Sequence, residues 1–232
     1  MEAPYVDTPT SLEGIPLQAV AVPGTATMVR ILPGLAQRKM SAPEVMRGEE
    51  TLLLGAVLER GVSGTICLPG THSKWVTIDE AEVCGFSTSM TGEVFSLLQS
   101  HSVLAHSVQQ VAGENDDDEA FQSAVEEAVS SPEKILQALF SVRSASLLQQ
   151  TATARHMRAR LSGLLLGLEI AGVRDIAQEQ VTLISSGQLA HSYRHALESV
   201  GFRCKLIDAD EMVLAGLCHA AGQIWPNLKA ER

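Results

Sequence analysis

The fold of this chain is decided by residues 64–75, Gly64-Thr65-Ile66-Cys67-Leu68-Pro69-Gly70-Thr71-His72-Ser73-Lys74-Trp75. A β-rich apolar run enters a Pro-Gly-Thr turn and a second run leaves it, which predicts a hairpin. Backbone N–H groups, a threonine hydroxyl and a lysine meet at the turn, and Gly70 has no Cβ to keep a ligand away. The turn therefore suits a phosphate group, although a plain β-turn is the alternative. It is not a Walker A loop, because G-x-x-x-x-G-K-[ST] is absent and a strand follows.

Composition indicates a globular, cytoplasmic protein. The 232 residues suffice for one large domain or two small ones, with 45% hydrophobic and 19% charged residues. The sequence has neither an apolar run of about 20 residues nor a secretory leader, so a membrane protein is not expected. Its cysteines, Cys67, Cys84, Cys204 and Cys218, lack C-x-x-C spacing. They are expected to be reduced thiols, and no metal-binding residues are predicted.

The charge of the chain argues against nucleic acid as its main partner. The formal net charge is −10, from 27 acidic and 17 basic residues. Part of the excess lies in the run from Glu114 to Glu119. We predict that this run is a solvated loop and the start of a helix, with carboxylates near the helix N-terminus. A divalent-cation role is the weaker alternative, since the run lacks the glycine and spacing of a calcium loop.

Local patterns predict a series of strands and helices. Short strands are expected over 17–24 and 27–32, and a helix is expected from Ser41, as N-cap with Pro43 and Glu44, to about Arg60. The remaining predicted elements are strands at 63–68, 73–78 and 81–87, a helix from about Gly92 to Gln99, a helical insertion at 119–150 broken at Ser130-Ser131-Pro132, a helix at 155–171, a strand at 181–184, a helix from about 188 to Val200, a strand near 203–207 and a helix at 210–221.

Without the insertion, residues 63–221 read β-β-β-α-α-β-α-β-α, which indicates a mixed sheet with helices on its faces. That order matches the ribonuclease-H-like half-domain of actin/hexokinase-type kinases. The predicted fold class is therefore α/β. We expect residues 1–60 to be the remnant of an N-terminal ribonuclease-H-like domain. Residues 61–232 would be a complete C-terminal nucleotide-binding domain, with a helical insertion at about 100–150.

The chain resembles the 2-dehydro-3-deoxygalactonokinase family of sugar kinases along essentially its whole length. The matching segments are Glu2-Ala3-Pro4-Tyr5, Met46-Arg47-Gly48-Glu49-Glu50-Thr51, Leu68-Pro69-Gly70-Thr71-His72-Ser73-Lys74-Trp75, Met90-Thr91-Gly92-Glu93-Val94-Phe95, Leu139-Phe140-Ser141-Val142-Arg143 and Leu161-Ser162-Gly163-Leu164-Leu165. The resemblance implies that ATP, with Mg²⁺, phosphorylates the 6-hydroxyl of 2-dehydro-3-deoxy-D-galactonate in galactonate catabolism. Such catalysis depends mostly on positioning and charge stabilisation.

The resemblance assigns roles to residues around the opening turn. Gly70 and Thr71 match the second phosphate-binding turn of these kinases, and His72, Ser73 and Lys74 either contact the nucleotide or support the turn. Because side chains alternate on a strand, His72 and Lys74 are expected on one face and Ser73 on the other.

Residues 47–50 are expected to carry the catalytic base. Glu49 is the candidate, since Gly48-Glu49-Glu50 is similar to the G-D-Q segment of related carbohydrate kinases, with Glu50 less favoured. The alternative is a first-turn glutamate that complements the helix dipole. Arg47 pairs with the substrate carboxylate or forms a structural salt bridge.

Two further segments have two interpretations each. Ser186 and Gly187 resemble the adenosine-binding loop of the family, although that loop usually has paired glycines, and a simple helix N-cap is the alternative. The segment Met90-Thr91-Gly92-Glu93 either caps a helix or faces the cleft.

One family feature does not occur in this sequence. Family members begin with a strand and a D-x-G-T-S-like loop, the first phosphate-binding element, with the aspartate associated with magnesium. We therefore expect that the N-terminal quarter is missing, through truncation or a late start codon, and that activity is impaired. Homo-oligomer formation could cover the exposed sheet edges. The alternative function is a non-catalytic nucleotide-binding or assembly module. A nuclease is disfavoured, since no carboxylate cluster for two metals is evident.

Overall fold

The computed structural model describes residues 4–109 and 117–226. The strands are β1 (Tyr5–Asp7), β2 (Thr10–Ser11), β3 (Val20–Ala21), β4 (Arg30–Ile31), β5 (Gly34–Lys39), β6 (Ala42–Met46), β7 (Gly64–Leu68), β8 (Ser73–Asp79), β9 (Glu82–Ser89), β10 (Gln180–Ile184) and β11 (Arg203–Ile207). The α-helices are α1 (Glu49–Arg60), α2 (Thr91–His101), α3 (Asp118–Ser130), α4 (Ile135–Leu148), α5 (Ala154–Val173), α6 (Gly187–Ser199) and α7 (Ala209–Ile224).

A six-stranded mixed sheet with the order β11-β10-β7-β8-β9-β2 organises the chain. Strands β7, β8 and β9 correspond to the three successive strands predicted from the sequence and form an antiparallel meander, and β10 and β11 run parallel to β7. The carboxyl ends of β7, β10 and β11 therefore meet at one edge of the sheet. In sheets of this kind ligands bind outside the carboxyl ends of the strands.

Both faces of this sheet are covered, so neighbouring residues of one strand enter different cores. Ile66 and Val76 pack with helices α1 and α7 in one cluster, whereas Cys67 and Trp75 pack with α5 and α6 in the other. The alternation explains why β7 reads as a continuous apolar run rather than a pattern of period two. The predicted mixed sheet with helices on its faces is confirmed.

The predicted helical insertion consists of α3 and α4, which pack against α5. The break predicted at residues 130–132 is confirmed, because α3 ends at Ser130 and a short 3₁₀ turn at residues 132–134 leads into α4. Gly163 of α5 lies against the carbonyl oxygen of Phe121, where a Cβ would collide with the α3 backbone. Of the acidic run, residues 114–116 lie outside the described residues. Asp117 accepts a hydrogen bond from the Ala120 amide and caps α3, as predicted.

The helix predicted from Ser41 begins eight residues later, at Glu49, and that prediction is wrong. Residues 42–46 instead form β6, which pairs antiparallel with β5. Pro43 fits there because β6 is an edge strand of the small sheet β1-β5-β6, where a missing N–H costs little. The Glu44 carboxylate, expected to complete a helix cap, accepts hydrogen bonds from the amide and hydroxyl of Thr88. Long-range strand pairing thus outweighs a local capping pattern.

The strands predicted at 17–24 and 27–32 are confirmed only as two-residue pieces, β3 and β4, which pair with each other. The sequence pattern did not indicate β1, β2 or β5. β1 runs parallel to β5, and β2 joins the large sheet beside β9. The division at residue 60 stays a prediction. Among the described residues, no helix combines the length and the apolarity required to cross a membrane.

Candidate functional site

A pocket of about 390 Å³ lies at the carboxyl ends of β7 and β10. Its walls come from the turn after β7, the loop after β10 and the starts of α1, α6 and α7. The lining residues include Glu49, Gly70, Thr71, His72, Ser185 and Ser186. The fold thus brings together residues that lie far apart in sequence and that were predicted to bind phosphate, to bind nucleotide and to accept a proton.

The turn at residues 69–72 rests on the N-terminus of α2. The Glu93 amide donates a hydrogen bond to the Thr71 carbonyl oxygen at 3.0 Å. A Cβ on Gly92 would lie 2.6 Å from the Gly70 carbonyl oxygen, so only glycine permits this close approach. The Glu93 carboxylate reaches His72 Nε2 at 2.6 Å. The segment 90–93, for which the sequence left two interpretations, therefore supports the turn.

Ser73 faces away from the pocket, into a buried hydrogen-bond network. Its hydroxyl donates to Glu169 Oε1 at 2.7 Å, and the Trp75 indole N–H donates to the same oxygen at 2.8 Å. The Thr91 hydroxyl and the Tyr193 phenol also donate to the Glu169 carboxylate. Four donors from β8, α2 and α6 thus converge on one carboxylate of α5. Burial, with Glu169 nearby, raises the pKa of Tyr193 well above its ordinary value, so the phenol remains a donor.

Lys74 points to the opposite face of β8 from Ser73, as the strand alternation predicted. Its side chain is only 6% exposed, and its ammonium lies 3.6 Å from Glu49 Oε1. The same ammonium lies 3.4 Å from the His72 carbonyl oxygen. His72 and Lys74 both line an open pocket of about 830 Å³ together with residues of β5 and β6. Lys74 therefore connects the strand that leaves the turn to the start of α1 through Glu49.

The two adjacent glutamates at the start of α1 have different environments. Glu49 lines the 390 Å³ pocket, and its Oε2 accepts a hydrogen bond from the Arg47 amide at 2.9 Å. Glu50 is 2% exposed, and its Oε2 accepts from the Gly48 amide at 2.6 Å. Burial raises the pKa of Glu50 from 4.5 to about 7. Only Glu49 is thus placed to touch a ligand in this pocket.

Arg47 lies apart from the 390 Å³ pocket. Its guanidinium carbon stacks 4.4 Å from the centre of the Tyr5 ring. The side chain is exposed and belongs to the short connection between β6 and α1. A role with the substrate carboxylate stays a prediction.

Ser186 and Gly187 form the start of α6, as predicted. The Ser186 hydroxyl donates to Asp208 Oδ2 at 3.0 Å and accepts from the Ala209 amide at 3.2 Å. Gly187 has a φ of 64°, in the region that favours glycine. Hydrogen bonds from the Glu211 amide and then from the Ser186 hydroxyl lower the pKa of Asp208 below its ordinary value. The loop after β10 is therefore fixed to the loop after β11.

A larger pocket of about 610 Å³ opens on the other side of the turn, between α2, α3, α5 and α6. It shares Gly70 and Leu189 with the 390 Å³ pocket, so the two spaces adjoin. Its walls include Gly92, Arg158, Gln188, Ser192 and His195. An elongated ligand with a phosphate end at the turn could extend into this second space.

Sequence reasoning missed two residues that shape the site: Glu169 and Asp208. Asp208 carried a signal, since an aspartate before a helix with acidic residues in its first turn is typical of an N-cap. Glu169 carried none, because a single glutamate in an apolar helix does not reveal its partners on three other elements.

The chain matches a family model described as 2-keto-3-deoxy-galactonokinase over residues 1–220. A probable 2-dehydro-3-deoxygalactonokinase of Rhizobium meliloti (strain 1021) is 47% identical over 228 residues, which cover 97% of this chain and 74% of that protein. The 2-dehydro-3-deoxygalactonokinase of Escherichia coli (strain K12) is 35% identical over 217 residues, which cover 93% of this chain and 71% of that protein. A crystal structure from Sinorhizobium meliloti, described as a candidate 2-dehydro-3-deoxygalactonokinase, superimposes with a TM-score of 0.89 at 46% identity. The superposition covers 97% of this chain and 75% of the Sinorhizobium meliloti chain.

Proposed function

The chain belongs to the 2-keto-3-deoxy-galactonokinase family, and we propose that it transfers the γ-phosphoryl group of ATP to the 6-hydroxyl of 2-dehydro-3-deoxy-D-galactonate. The observation that carries the proposal is the convergence of Thr71 and Glu49 on one pocket. A phosphate-binding turn and a carboxylate base are two of the parts that phosphoryl transfer to an alcohol uses.

We infer that residues 61–232 include a ribonuclease-H-like domain and that residues 1–60 belong to a second one. Supporting this, β7, β8, β9, β10 and β11 follow the spatial order β9-β8-β7-β10-β11, with β8 antiparallel to its neighbours. The loops after β7 and β10 then lie on the same side of the sheet, which suits a nucleotide that spans both.

The phosphates of ATP would lie on the turn at residues 69–72. The backbone N–H groups there and the hydroxyl of Thr71, an exposed residue, suit phosphate oxygens. His72 lies beside them, with its Nε2 in contact with the Glu93 carboxylate. Ser186 and Gly187 at the start of α6 would contact the adenosine. Among the described residues that line the 390 Å³ pocket, Glu49 is the carboxylate. A Mg²⁺ ion bound with ATP would therefore take most of its ligands from phosphate oxygens and water.

Glu49 would act as the general base. It would take the proton of the 6-hydroxyl while that oxygen forms a bond to the γ-phosphorus and ADP leaves with the electron pair of the broken P–O bond. Lys74 positions this carboxylate through the contact at 3.6 Å. Glu50 suits the role less well, since it is buried and hydrogen-bonded to Gly48. Arg47 remains the candidate for the sugar-acid carboxylate.

Two measurements on the same preparation test the proposal. ATP binding is measured by calorimetry, and phosphorylated sugar acid and ADP are quantified after incubation with 2-dehydro-3-deoxy-D-galactonate. We expect Thr71→Val to weaken ATP binding and Glu49→Gln to abolish product formation while ATP still binds. Glu59→Gln is the control, since Glu59 lies on α1 but contacts His219 at the far side.

The outcomes separate the two candidate functions. ATP binding without any product would favour the alternative, a non-catalytic nucleotide-binding module, and the same assay tests the predicted impairment of activity. ATP binding that Thr71→Val leaves unchanged would contradict the phosphate turn. Product formation that Glu49→Gln leaves unchanged would remove Glu49 from catalysis.

A further inference from the structure

Three metal-ligating side chains meet at the wall of the 610 Å³ pocket. One oxygen of Asp118 and one ring nitrogen each of His191 and His195 lie within 4.8 Å of one another. Asp118 begins α3, and the two histidines lie one turn apart on α6, where residues i and i+4 share a face. We propose that these residues bind a divalent transition-metal ion of the zinc class.

The donor set favours zinc over magnesium or calcium. Imidazole nitrogens suit Zn²⁺, Ni²⁺ and Cu²⁺, whereas Mg²⁺ and Ca²⁺ take oxygen ligands. Two imidazoles and one carboxylate supply three ligands of a tetrahedral ion and leave the fourth position to water or to a molecule in the pocket. The ligands of this site therefore differ chemically from those of a Mg²⁺ ion that accompanies a nucleotide.

The three ligand atoms need to move only slightly closer together to bind an ion. Bond lengths of about 2.0–2.1 Å in a tetrahedral zinc site place ligand atoms about 3.4 Å apart. Rotations of the Asp118 and His191 side chains, both exposed, can close the remaining gap without moving a helix. No buried group has to be displaced.

The two helices hold the ligands in place. The His195 ring packs against the buried Phe121 ring with centroids 5.4 Å apart, which orients the imidazole and connects α6 to α3. Asp117, next to Asp118, caps α3 and also contacts His156 Nδ1 at 3.1 Å, which fixes the start of that helix. Asp118 therefore projects from an anchored helix end.

The cationic side chains near the site have other partners. Arg158 lines the same pocket, but its guanidinium hydrogen-bonds to Gln99 and stacks 5.0 Å from the Phe95 ring centre. Arg194, on the same helix as the histidines, pairs with Glu198 at 2.8 Å. These contacts draw both positive charges away from the proposed ion.

The test uses the full chain after treatment with a chelator and dialysis. Titration with ZnCl₂ by calorimetry is expected to show one site per chain, and excess MgCl₂ is expected not to compete. The double variant His191→Ala/His195→Gln should bind zinc at least about 100-fold more weakly. His101→Ala, an exposed histidine at the end of α2, is the matched control and should bind like the unmodified chain.

Thermal unfolding is the second readout. It shows whether a variant is folded, and it separates zinc bound at this site from zinc bound by thiols. Because the ion links α3 to α6, Zn²⁺ should raise the Tm of the unmodified chain and of Cys84→Ser/Cys218→Ser, but not that of the histidine double variant. Equal zinc affinity in the unmodified chain and the histidine double variant would overturn the proposal, as would the absence of zinc binding to the unmodified chain. None of these readouts depends on kinase activity.

Discussion

The indole N–H of Trp75 donates a hydrogen bond to Glu169 Oε1 at 2.8 Å in the buried layer between the large sheet and α5. Ser73, two residues earlier on the same strand, donates to the same oxygen. One carboxylate therefore fixes the strand that leaves the turn at residues 69–72. A buried carboxylate is tolerated only when donors satisfy it, and here hydroxyl and indole groups of the described residues do so.

We predict that Glu169→Gln destabilises the fold. Glutamine replaces one of the two acceptor oxygens with an NH₂ group. At the Oε2 position that group removes the acceptor of the Thr91 hydroxyl, and at the Oε1 position it removes the acceptor of the Ser73 hydroxyl and the Trp75 indole N–H. The expected loss is about 2–4 kcal/mol in the free energy of unfolding, measured by urea denaturation. Glu179→Gln is the control because that side chain is 90% exposed, and it should change stability by no more than about 0.5 kcal/mol. Equal stability of both variants would show that the network does not stabilise the fold.

A second prediction concerns the support of the turn by α2. Gly92→Ala would place a Cβ 2.6 Å from the Gly70 carbonyl oxygen and 2.9 Å from Thr71 Cα, both backbone atoms, so the turn must move. We expect ATP affinity to fall by about 10-fold, which corresponds to about 1.4 kcal/mol. Gly172→Ala in α5 is the matched control, since its Cβ would meet nothing within 4 Å. If both variants bind ATP like the unmodified chain, the turn does not hold the phosphates in the geometry described.

The buried Glu50 gives the stability of the chain a pH dependence of a particular sign. Its pKa is about 7 in the folded chain against an ordinary 4.5, so the folded state binds more protons between these values. Its contribution is fully present below pH 4.5 and is lost as the pH rises through 7. Between these two pH limits the contribution of Glu50 to the free energy of unfolding changes by about 3 kcal/mol.

Glu50→Gln should therefore remove a stability loss that the unmodified chain shows between pH 4.5 and 7. The measurement is urea denaturation of both proteins at several pH values, and the quantity compared is the difference between them, since other carboxylates titrate in the same range. Glu82→Gln, on the exposed start of β9, serves as control. A constant difference between Glu50→Gln and the unmodified chain across this range would contradict the raised pKa.

The sequence predicts this fold best where several local signals agree. At residues 64–89, apolar runs and turn residues both indicated three successive strands, and the structure has them as β7, β8 and β9. At residues 41–46 a helix-capping pattern indicated a helix, but pairing with β5, through residues such as Leu35 opposite Met46, made a strand. Partners distant in sequence decide such segments, and one sequence does not show which partner is present.

The residues of the candidate site were likewise predicted from the sequence only in part. Gly70, Thr71 and Glu49 were predicted from motifs, and the fold places all three at one pocket. Ser73 was predicted beside them, yet its hydroxyl serves the buried network, because alternation along β8 turns it towards α5. A motif identifies the residues near a ligand, whereas the direction of each side chain depends on the strand register.

Variants of Lys74 and Glu49 can distinguish a structural from a catalytic role of Glu49. Glu49→Gln leaves the ammonium of Lys74, whose side chain is 6% exposed, without the carboxylate 3.6 Å away, so a loss of about 3 kcal/mol in stability is expected. Lys74→Met should cost less, because the remaining carboxylate is more exposed, and the double variant should be more stable than Glu49→Gln alone. Urea denaturation of the four proteins gives the coupling energy, and additive effects would mean that the two groups do not interact. If Lys74→Met alone still forms product, whereas the double variant regains stability but forms none, then Glu49 acts in catalysis beyond its contact with Lys74. Activity that returns with stability in the double variant would assign Glu49 a structural role alone.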